Sequence, residues 1–365
     1  MVCFSRIRVL IRPLFVSFTA ISFIFWFYVI NSLLGNSVSI KRNSPTSHQS
    51  NPIKSCPLIS PKLVGRINLS SEAIAVISEE DEDVLVSRMT GQLKAGGMYK
   101  PSGCKARSRV AIIVPYQNRK SHLTLFLRYL HPFLQRQQLS YVIIVVEQFM
   151  NGAGRSPFNR GMLMNIGFKE ARLLPDKYEC FIFHDVDLLP EDDRNPYTCP
   201  ESGKPRQMAF SIDYWDNYRP TPSNHFGGVT AFRVTDFQLV NGFSNSFWGW
   251  GGEDDQLYQR VRFHNLTVVR AFDDQPSLVH LARYKTLSHV KAKPNPSRKE
   301  ILKEGPIRYK TDGLINLRYH RVDLQLRPLF THIVVDIQPK QRQAVAFNRV
   351  PGHPYLSYPY SLTGT

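Results

Sequence analysis

The sequence predicts an α/β domain built on a parallel sheet, with its site at the carboxyl ends of the strands. Two observations predict the sheet. Arg109-Val-Ala-Ile-Ile-Val-Pro115, Tyr141-Val-Ile-Ile-Val-Val146 and Cys180-Phe-Ile-Phe183 are short, continuous apolar runs, as expected of strands buried on both faces. Helical patterns separate them. Lys120 to Gln138 repeats Leu123, Phe126, Leu127, Leu130, Phe133 and Leu134 at helical spacing, and Gly161 to Leu174 reads as a second helix. A third observation places the site. Pro115-Tyr116-Gln117-Asn118-Arg119 follows the first strand and Asp185-Val186-Asp187 follows the third, so both lie at the rim where such sheets bind ligands. No P-loop or GxGxxG pattern is present, which counts against a P-loop NTPase and a dinucleotide oxidoreductase.

The N-terminus sets the expected compartment. Arg6, Arg8 and Arg12 precede Leu14 to Leu34, a stretch without Asp, Glu, Lys or Arg. About 20 helical residues cross a hydrocarbon core of ~30 Å. Residues 14–34 are expected to be a transmembrane signal anchor, with residues 1–13 cytosolic and the rest lumenal. The stretch is too long for the ~7–15-residue apolar region of a cleaved signal peptide. Residues 35–55, rich in Ser, Asn, Pro and Lys, read as a stem. Residues 56–340 then form the lumenal domain, and residues 341–365 a tail to which no role is assigned.

Of five cysteines, Cys3 falls on the cytosolic side. Cys56, Cys104, Cys180 and Cys199 suit two disulfides in an oxidising lumen, with three pairings open. No CxxC pair argues for a zinc cluster. Asn68-Leu69-Ser70 and Asn265-Leu266-Thr267 fit the N-glycosylation sequon. The net charge of +17 comes from scattered Lys and Arg on an anchored chain, so it points away from nucleic acid. It favours anionic nucleotide-sugars or acidic glycans.

Two acidic motifs carry the chemistry. In extended geometry Asp185 and Asp187 share one face, where like charges repel unless a cation lies between them. A hard divalent ion bridging to a diphosphate satisfies both. The second motif is Phe247-Trp248-Gly249-Trp250-Gly251-Gly252-Glu253-Asp254-Asp255. It reads as a loop feeding a helix whose apolar face carries Leu257 and Val261. N-terminal capping by acids explains one or two carboxylates but not the Trp-Gly-Trp-Gly-Gly run before them. Aromatic faces beside carboxylates grip sugars, and an ionised carboxylate there is suited to act as a general base. His289, in the polar Tyr284-Lys285-Thr286-Leu287-Ser288-His289 stretch, reads on its own as a surface histidine.

With these residues in hand, the chain resembles the animal β-1,4-galactosyltransferase family, which includes β-1,4-N-acetylgalactosaminyltransferases. The likeness runs from about Cys56 to Ile337. It rests on Val114 to Arg119, His131 to Gln137, Phe158-Asn159-Arg160, Phe183 to Leu188, Phe226 to Val229 and Trp248 to Asp255. The resemblance implies a GT-A type, Rossmann-like fold and a type II Golgi membrane enzyme. It implies inverting transfer from a UDP-sugar to the 4-hydroxyl of terminal GlcNAc or glucose. Asp254 would be the general base. Glu253 and Asp255, with Gly251 and Gly252, would hold sugar hydroxyls, and Trp250 would close over the donor. Asp187 and His289 would hold Mn²⁺ against the diphosphate. Pro115, Tyr116, Gln117, Arg119, Phe158, Arg160, Asp185 and Val186 would line the donor and nucleotide site. The implied disulfides are Cys56–Cys104 and Cys180–Cys199.

Four positions depart from the family pattern. Thr286 stands where a methionine ligand is usual. A hydroxyl is harder and weaker than a thioether, so altered metal selectivity with tolerance of Mg²⁺ is expected. Gln117 replaces a basic residue, and Gln256 the last acid of the acidic run. His225 stands where galactosyltransferases carry Tyr and N-acetylgalactosaminyl enzymes a smaller aliphatic, so the donor, UDP-Gal or UDP-GalNAc, is left open with galactose favoured. A non-catalytic sugar-binding protein on the same fold is the rival from another class, and a nucleotide-sugar hydrolase a third reading. Asp187, His289, Glu253 and Asp254 argue against the first, Trp250 and the acids against the second. The natural acceptor (N-glycan, O-glycan or glycolipid), the oligomeric state and any accessory protein are not indicated.

Overall fold

The computed structural model describes residues 53–337, except 80–81, 151–155, 273–274 and 291. The expected cytosolic tail, anchor, most of the stem and the C-terminal tail lie outside the described residues. Among the described residues no helix is long and apolar enough to cross a membrane.

Two short helices, α1 (Ser71–Glu79) and α2 (Glu82–Thr90), lead into β1 (Arg109–Tyr116), α3 (Lys120–Arg136), β2 (Ser140–Gln148), α4 (Arg160–Ala171) and β3 (Cys180–His184). From β1 to β3 these are the strands and helices expected from the apolar pattern, each with slightly different ends, whereas α1 and α2 were not anticipated. There follow β4 (Leu188–Pro190), β5 (Arg206–Gln207), β6 (Ser211–Ile212), β7 (Val229–Arg233), α5 (Val234–Leu239), α6 (Glu253–Phe263), β8 (Val269–Arg270), β9 (Arg283–Thr286), α7 (Arg298–Arg308), β10 (His320–Leu326) and β11 (Thr331–Asp336).

The main sheet has the order β10-β11-β2-β1-β3-β7-β5-β8, and β4-β9-β6 form a smaller sheet. The expectation of a parallel sheet holds for β11, β2, β1 and β3. It needs correction beyond them: β7 runs antiparallel to β3, and β10 antiparallel to β11. The sheet is therefore mixed. The reversal follows from the loop before β7, which returns at the carboxyl end of β3 and sets Val229 opposite His184.

Both faces of the parallel strands are covered, which is why their sequences are continuously apolar. Val110, Ile112 and Val114 pack with Leu123, Phe126, Leu130 and Phe133 of α3. Ala111 and Ile113 face the other way, with Leu163 and Ile166 of α4 and Leu257 and Val261 of α6. The structure joins Cys56 to Cys104 and Cys180 to Cys199. The second of these fastens the start of β3 to the segment before β5.

Candidate active site

The site lies where β1 and β3 end and β7 begins. After β3 the chain turns at Val186 and Asp187 before entering β4. That turn corrects the expectation that Asp185 and Asp187 share one extended face. Asp185 Oδ1 accepts from Arg160 Nε at 2.6 Å, whereas Asp187 turns toward the end of β9. The reason is topological, since β3 and β4 belong to different sheets and the chain must bend between them.

Asp187 Oδ2 lies 2.7 Å from His289 Nε2 and 3.4 Å from Arg119 Nη1, and Arg119 Nη2 is 3.1 Å from His289 Nδ1. Thr286 faces Leu188 across the β4–β9 ladder, and the backbone N–H of Leu287 donates to the Asp187 carbonyl at 2.8 Å. The Thr286 hydroxyl is buried without a hydrogen-bond partner. A carboxylate against an imidazole, with an orphaned hydroxyl nearby, suits a divalent cation that takes its remaining ligands from a diphosphate. Among the described residues no group of three or more His, Cys, Asp and Glu gathers at one point, so the protein side of such a site is open.

Arg160, the first residue of α4, joins the two acidic motifs. Besides Asp185, its Nη1 lies 3.4 Å from Glu253 Oε1. Burial, then the charges of Asp187 and Asp254, raise the Asp185 carboxyl to about 6 against the opposing effect of Arg160. Glu253 opens α6 and is buried, with Oε2 unpartnered. Burial and the neighbouring Asp254 push it up to about 7, and Arg160 only partly offsets them.

Asp254 and Asp255 share that first turn, where the exposed N–H groups of the helix favour carboxylates. Asp254 Oδ1 accepts from the Asp255 backbone N–H at 2.9 Å. Its Oδ2 lies against Gly227: a Cβ there would meet Oδ2 at 2.4 Å and His225 Cε1 at 3.2 Å. Burial lowers the pKa of His225; the charge of Asp254 opposes that shift, while Arg270 and Arg160 reinforce it. Its Nε2 is buried and unpartnered. Burial and the charge of Asp254 raise the Asp255 carboxyl, and Arg298 opposes them.

Gly251 and Gly252 have φ of 94° and 100°, a conformation that L side chains rarely adopt. Trp250 is exposed at the rim. Its backbone bridges to Pro294, and Arg298 lies over its ring at 5.6 Å. The Gly249 N–H donates to the Phe158 carbonyl at 2.8 Å, so the tryptophan loop starts from the residue expected at the nucleotide site. Pro115 and Tyr116 end β1 inside the fold, Gln117 Nε2 donates to Met150 Sδ at 2.9 Å, and Val186 is buried. Asn68 and Asn265 are both exposed; Asn68 caps a turn by accepting from the Ser70 N–H at 2.9 Å.

Arg119, Arg160, Asp185, Asp187, His225, Trp250, Glu253, Asp254, Asp255, Thr286 and His289 thus form one group around the β3–β7 crossing. Sequence reasoning missed the role of Gly227 in seating Asp254. It also missed Tyr214 and Trp215, whose ring packs on His225 at 5.4 Å. The signal for the latter was present: two adjacent aromatics ahead of Asp216-Asn217 in a polar loop.

Comparison with known proteins bears on this arrangement. A family described as the N-terminal region of glycosyl transferase group 7 matches residues 56–200, and one described as the N-terminal domain of galactosyltransferase matches residues 206–290. β-1,4-galactosyltransferase 4 of Mus musculus is 39% identical over 83% of this chain and 82% of its own. β-1,4-galactosyltransferase 3 of Homo sapiens is 40% identical over 81% of this chain and 72% of its own. Among solved structures, a mutant Drosophila β-1,4-galactosyltransferase 7 in complex with manganese, UDP-Gal and xylobiose aligns with a TM-score of 0.54 and 26% identity. That alignment covers 65% of this chain and 97% of the other.

Proposed function

The chain belongs to the β-1,4-galactosyltransferase family, and from that premise we propose that it is a metal-dependent inverting transferase. It moves galactose from UDP-Gal to the 4-hydroxyl of a terminal GlcNAc or glucose. One observation carries the reading: Glu253, Arg160 and Asp185 run as a continuous line of side chains between the helix start bearing Asp254 and the strand end bearing Asp187 with His289.

Asp254 takes the proton of the acceptor hydroxyl as that oxygen attacks the anomeric carbon from the face opposite UDP. The bond from that carbon to the diphosphate breaks, and its electron pair leaves with UDP. A single displacement turns an α-linked donor into a β-linked product. Gly227 sets where the base carboxylate sits. The free Oε2 of Glu253 receives a sugar hydroxyl, as does Asp255. Asp187 and His289 would hold the cation, with the Thr286 hydroxyl as a third donor, and Mn²⁺ there would neutralise charge on the diphosphate. Arg119 stands next to that pair to meet a phosphate. The manganese and UDP-Gal bound by the Drosophila relative support this donor and ion.

His225 abuts the same point as Asp254. It is where UDP-Gal and UDP-GalNAc are told apart, and a β-1,4-N-acetylgalactosaminyltransferase is the second reading. The apolar stretch 14–34 and the family together support a type II Golgi enzyme with its active site in the lumen. The test is to incubate the detergent-solubilised chain with Mn²⁺, a β-GlcNAc acceptor and each donor separately, and to weigh the product. A hexose-extended disaccharide from UDP-Gal is expected, with kcat ~10²–10⁴-fold lower for Asp254→Asn. No product with either donor, with glucose acceptors or with Mg²⁺ would overturn the transferase in favour of a non-catalytic sugar-binding protein.

A further inference from the structure

Three strand ends of the smaller sheet meet at one rim. β6 and β9 are parallel, with Ile212 opposite Tyr284; β9 and β4 are antiparallel, with Thr286 opposite Leu188. The residues just after β6, at the end of β9 and just before β4 therefore emerge side by side. They are Asp213-Tyr214, Thr286 and Asp187. Asp213 fastens this edge: its Oδ1 accepts from the Thr286 N–H at 3.0 Å, and its Oδ2 lies 3.0 Å from Lys285 Nζ.

Tyr214 comes next, 58% exposed, its ring near-perpendicular to that of Trp215 at 6.4 Å. The Trp215 ring stands between Tyr214 and His225, 5.4 Å from the His225 ring. The loop beyond is over-determined. Asp216, Asn217 and Tyr218 have φ of 39°, 54° and 68°, backbone conformations that non-glycine residues seldom hold. The Ser211 hydroxyl donates to the Tyr218 carbonyl at 2.9 Å, the Arg219 N–H donates to the Trp215 carbonyl at 2.9 Å, and Arg283 covers the Tyr218 ring at 4.7 Å. A strained loop fixed from three sides presents one phenol to the open rim. Partial burial, then the nearby charges of Asp185, Asp187 and Asp254, raise the pKa of that phenol.

We propose that the Tyr214 hydroxyl donates a hydrogen bond to the terminal phosphate of the bound nucleoside diphosphate, with Trp215 as the residue that positions it. The inference rests on the transferase reading and deepens it. Nothing covalent passes through Tyr214. When the sugar–oxygen bond breaks, the departing phosphate oxygen gains the electron pair, and the phenol shares its proton with that phosphate without giving it up.

The test uses the full chain in detergent with Mn²⁺ and two calorimetric titrants, UDP and UMP, which differ by the terminal phosphate. Tyr214→Phe removes the hydroxyl and keeps the ring. It should weaken UDP about ten-fold, the worth of one hydrogen bond to a charged group, and leave UMP unchanged. Trp215→Phe should weaken UDP in the same direction by less. UDP and UMP weakened alike would reduce Tyr214 to a structural residue, and both unchanged would remove it from the site; either result overturns the proposal. A wild-type chain that binds UDP but transfers no sugar would sink the transferase reading, while the ratio of UDP to UMP affinity still decides on Tyr214.

Discussion

Glu253 is the residue at which the site most plainly works against the fold. It is buried, has one oxygen 3.4 Å from Arg160 and the other without a partner, and titrates at about 7. An isolated glutamate titrates near 4.3. The folded protein therefore holds a proton that the unfolded chain releases between those values, and this group's contribution to stability falls as pH rises through that window. Glu253→Gln removes the penalty and keeps the shape. Its Tm should exceed wild type at pH 8, with the gap closing toward pH 4.5, while transfer activity falls. Differential scanning calorimetry across that range is the check. A lower Tm at pH 8 would mean that the Arg160 contact outweighs the cost of burial. Such a trade between stability and activity is usual where a carboxylate waits for a substrate hydroxyl.

The crossing of β7 with the start of α6 decides whether Asp254 is usable. β7 begins after Gly227-Gly228, and the Gly228 carbonyl accepts from the Asp185 N–H at 3.1 Å. α6 begins after Gly252, at φ 100°, where a Cβ would fall 2.5 Å from the Phe247 ring. Gly228, at φ 74°, and Gly252 hold conformations that L side chains rarely adopt, so a larger residue at either would strain the start of its element, whereas Gly227 has no such φ. Gly227→Ala separates function from folding. The new methyl would strike the Asp254 carboxylate, which is only half-buried and has room to swing away. Displacement of a catalytic group by ~1 Å costs on the order of 10²-fold in rate. The variant should keep its far-UV circular dichroism and a Tm within a few degrees, and lose about that factor in kcat. Transfer near the wild-type rate would show that the base tolerates displacement.

At the scale of the whole molecule, two disulfides hold segments that the sheet alone does not. Cys56–Cys104 closes a separation of 48 residues and Cys180–Cys199 one of 19. On the loop-entropy account these bonds are worth about 4 and about 3 kcal/mol. The first ties the chain's entry into the described domain to the segment just before β1. The second fixes the base of the strand whose other end carries Asp185. A reductant should therefore lower the Tm by ten degrees or more, with Cys56→Ser/Cys104→Ser costing at least as much as Cys180→Ser/Cys199→Ser. An unchanged Tm with free thiols titrated would show that packing suffices without them.

The parallel core was legible because strands buried on both faces must be apolar at every position, and the helices between them must show an apolar stripe. Those patterns survive in the residues of β1, α3, β2 and β3 without any coordinates. The acidic motifs and the glycine-rich run were legible for a related reason: clustered carboxylates and positive-φ glycines are costly unless they serve a site. Partnership was beyond local pattern: the two disulfides and the pairing of Asp187 with His289 were expected only through the family resemblance, and the structure has all three. Whether Asp185 faces a cation or Arg160, how close Asp187 comes to His289, and that Gly227 seats Asp254 depend on contacts between residues tens of positions apart. The antiparallel β7 and the rim shared by Tyr214, Thr286 and Asp187 belong to the same class, since strand direction and sheet order are set by chain return and not by local composition. The sequence by itself determined which elements form and which chemical groups they carry. The tertiary structure decided which of those groups meet.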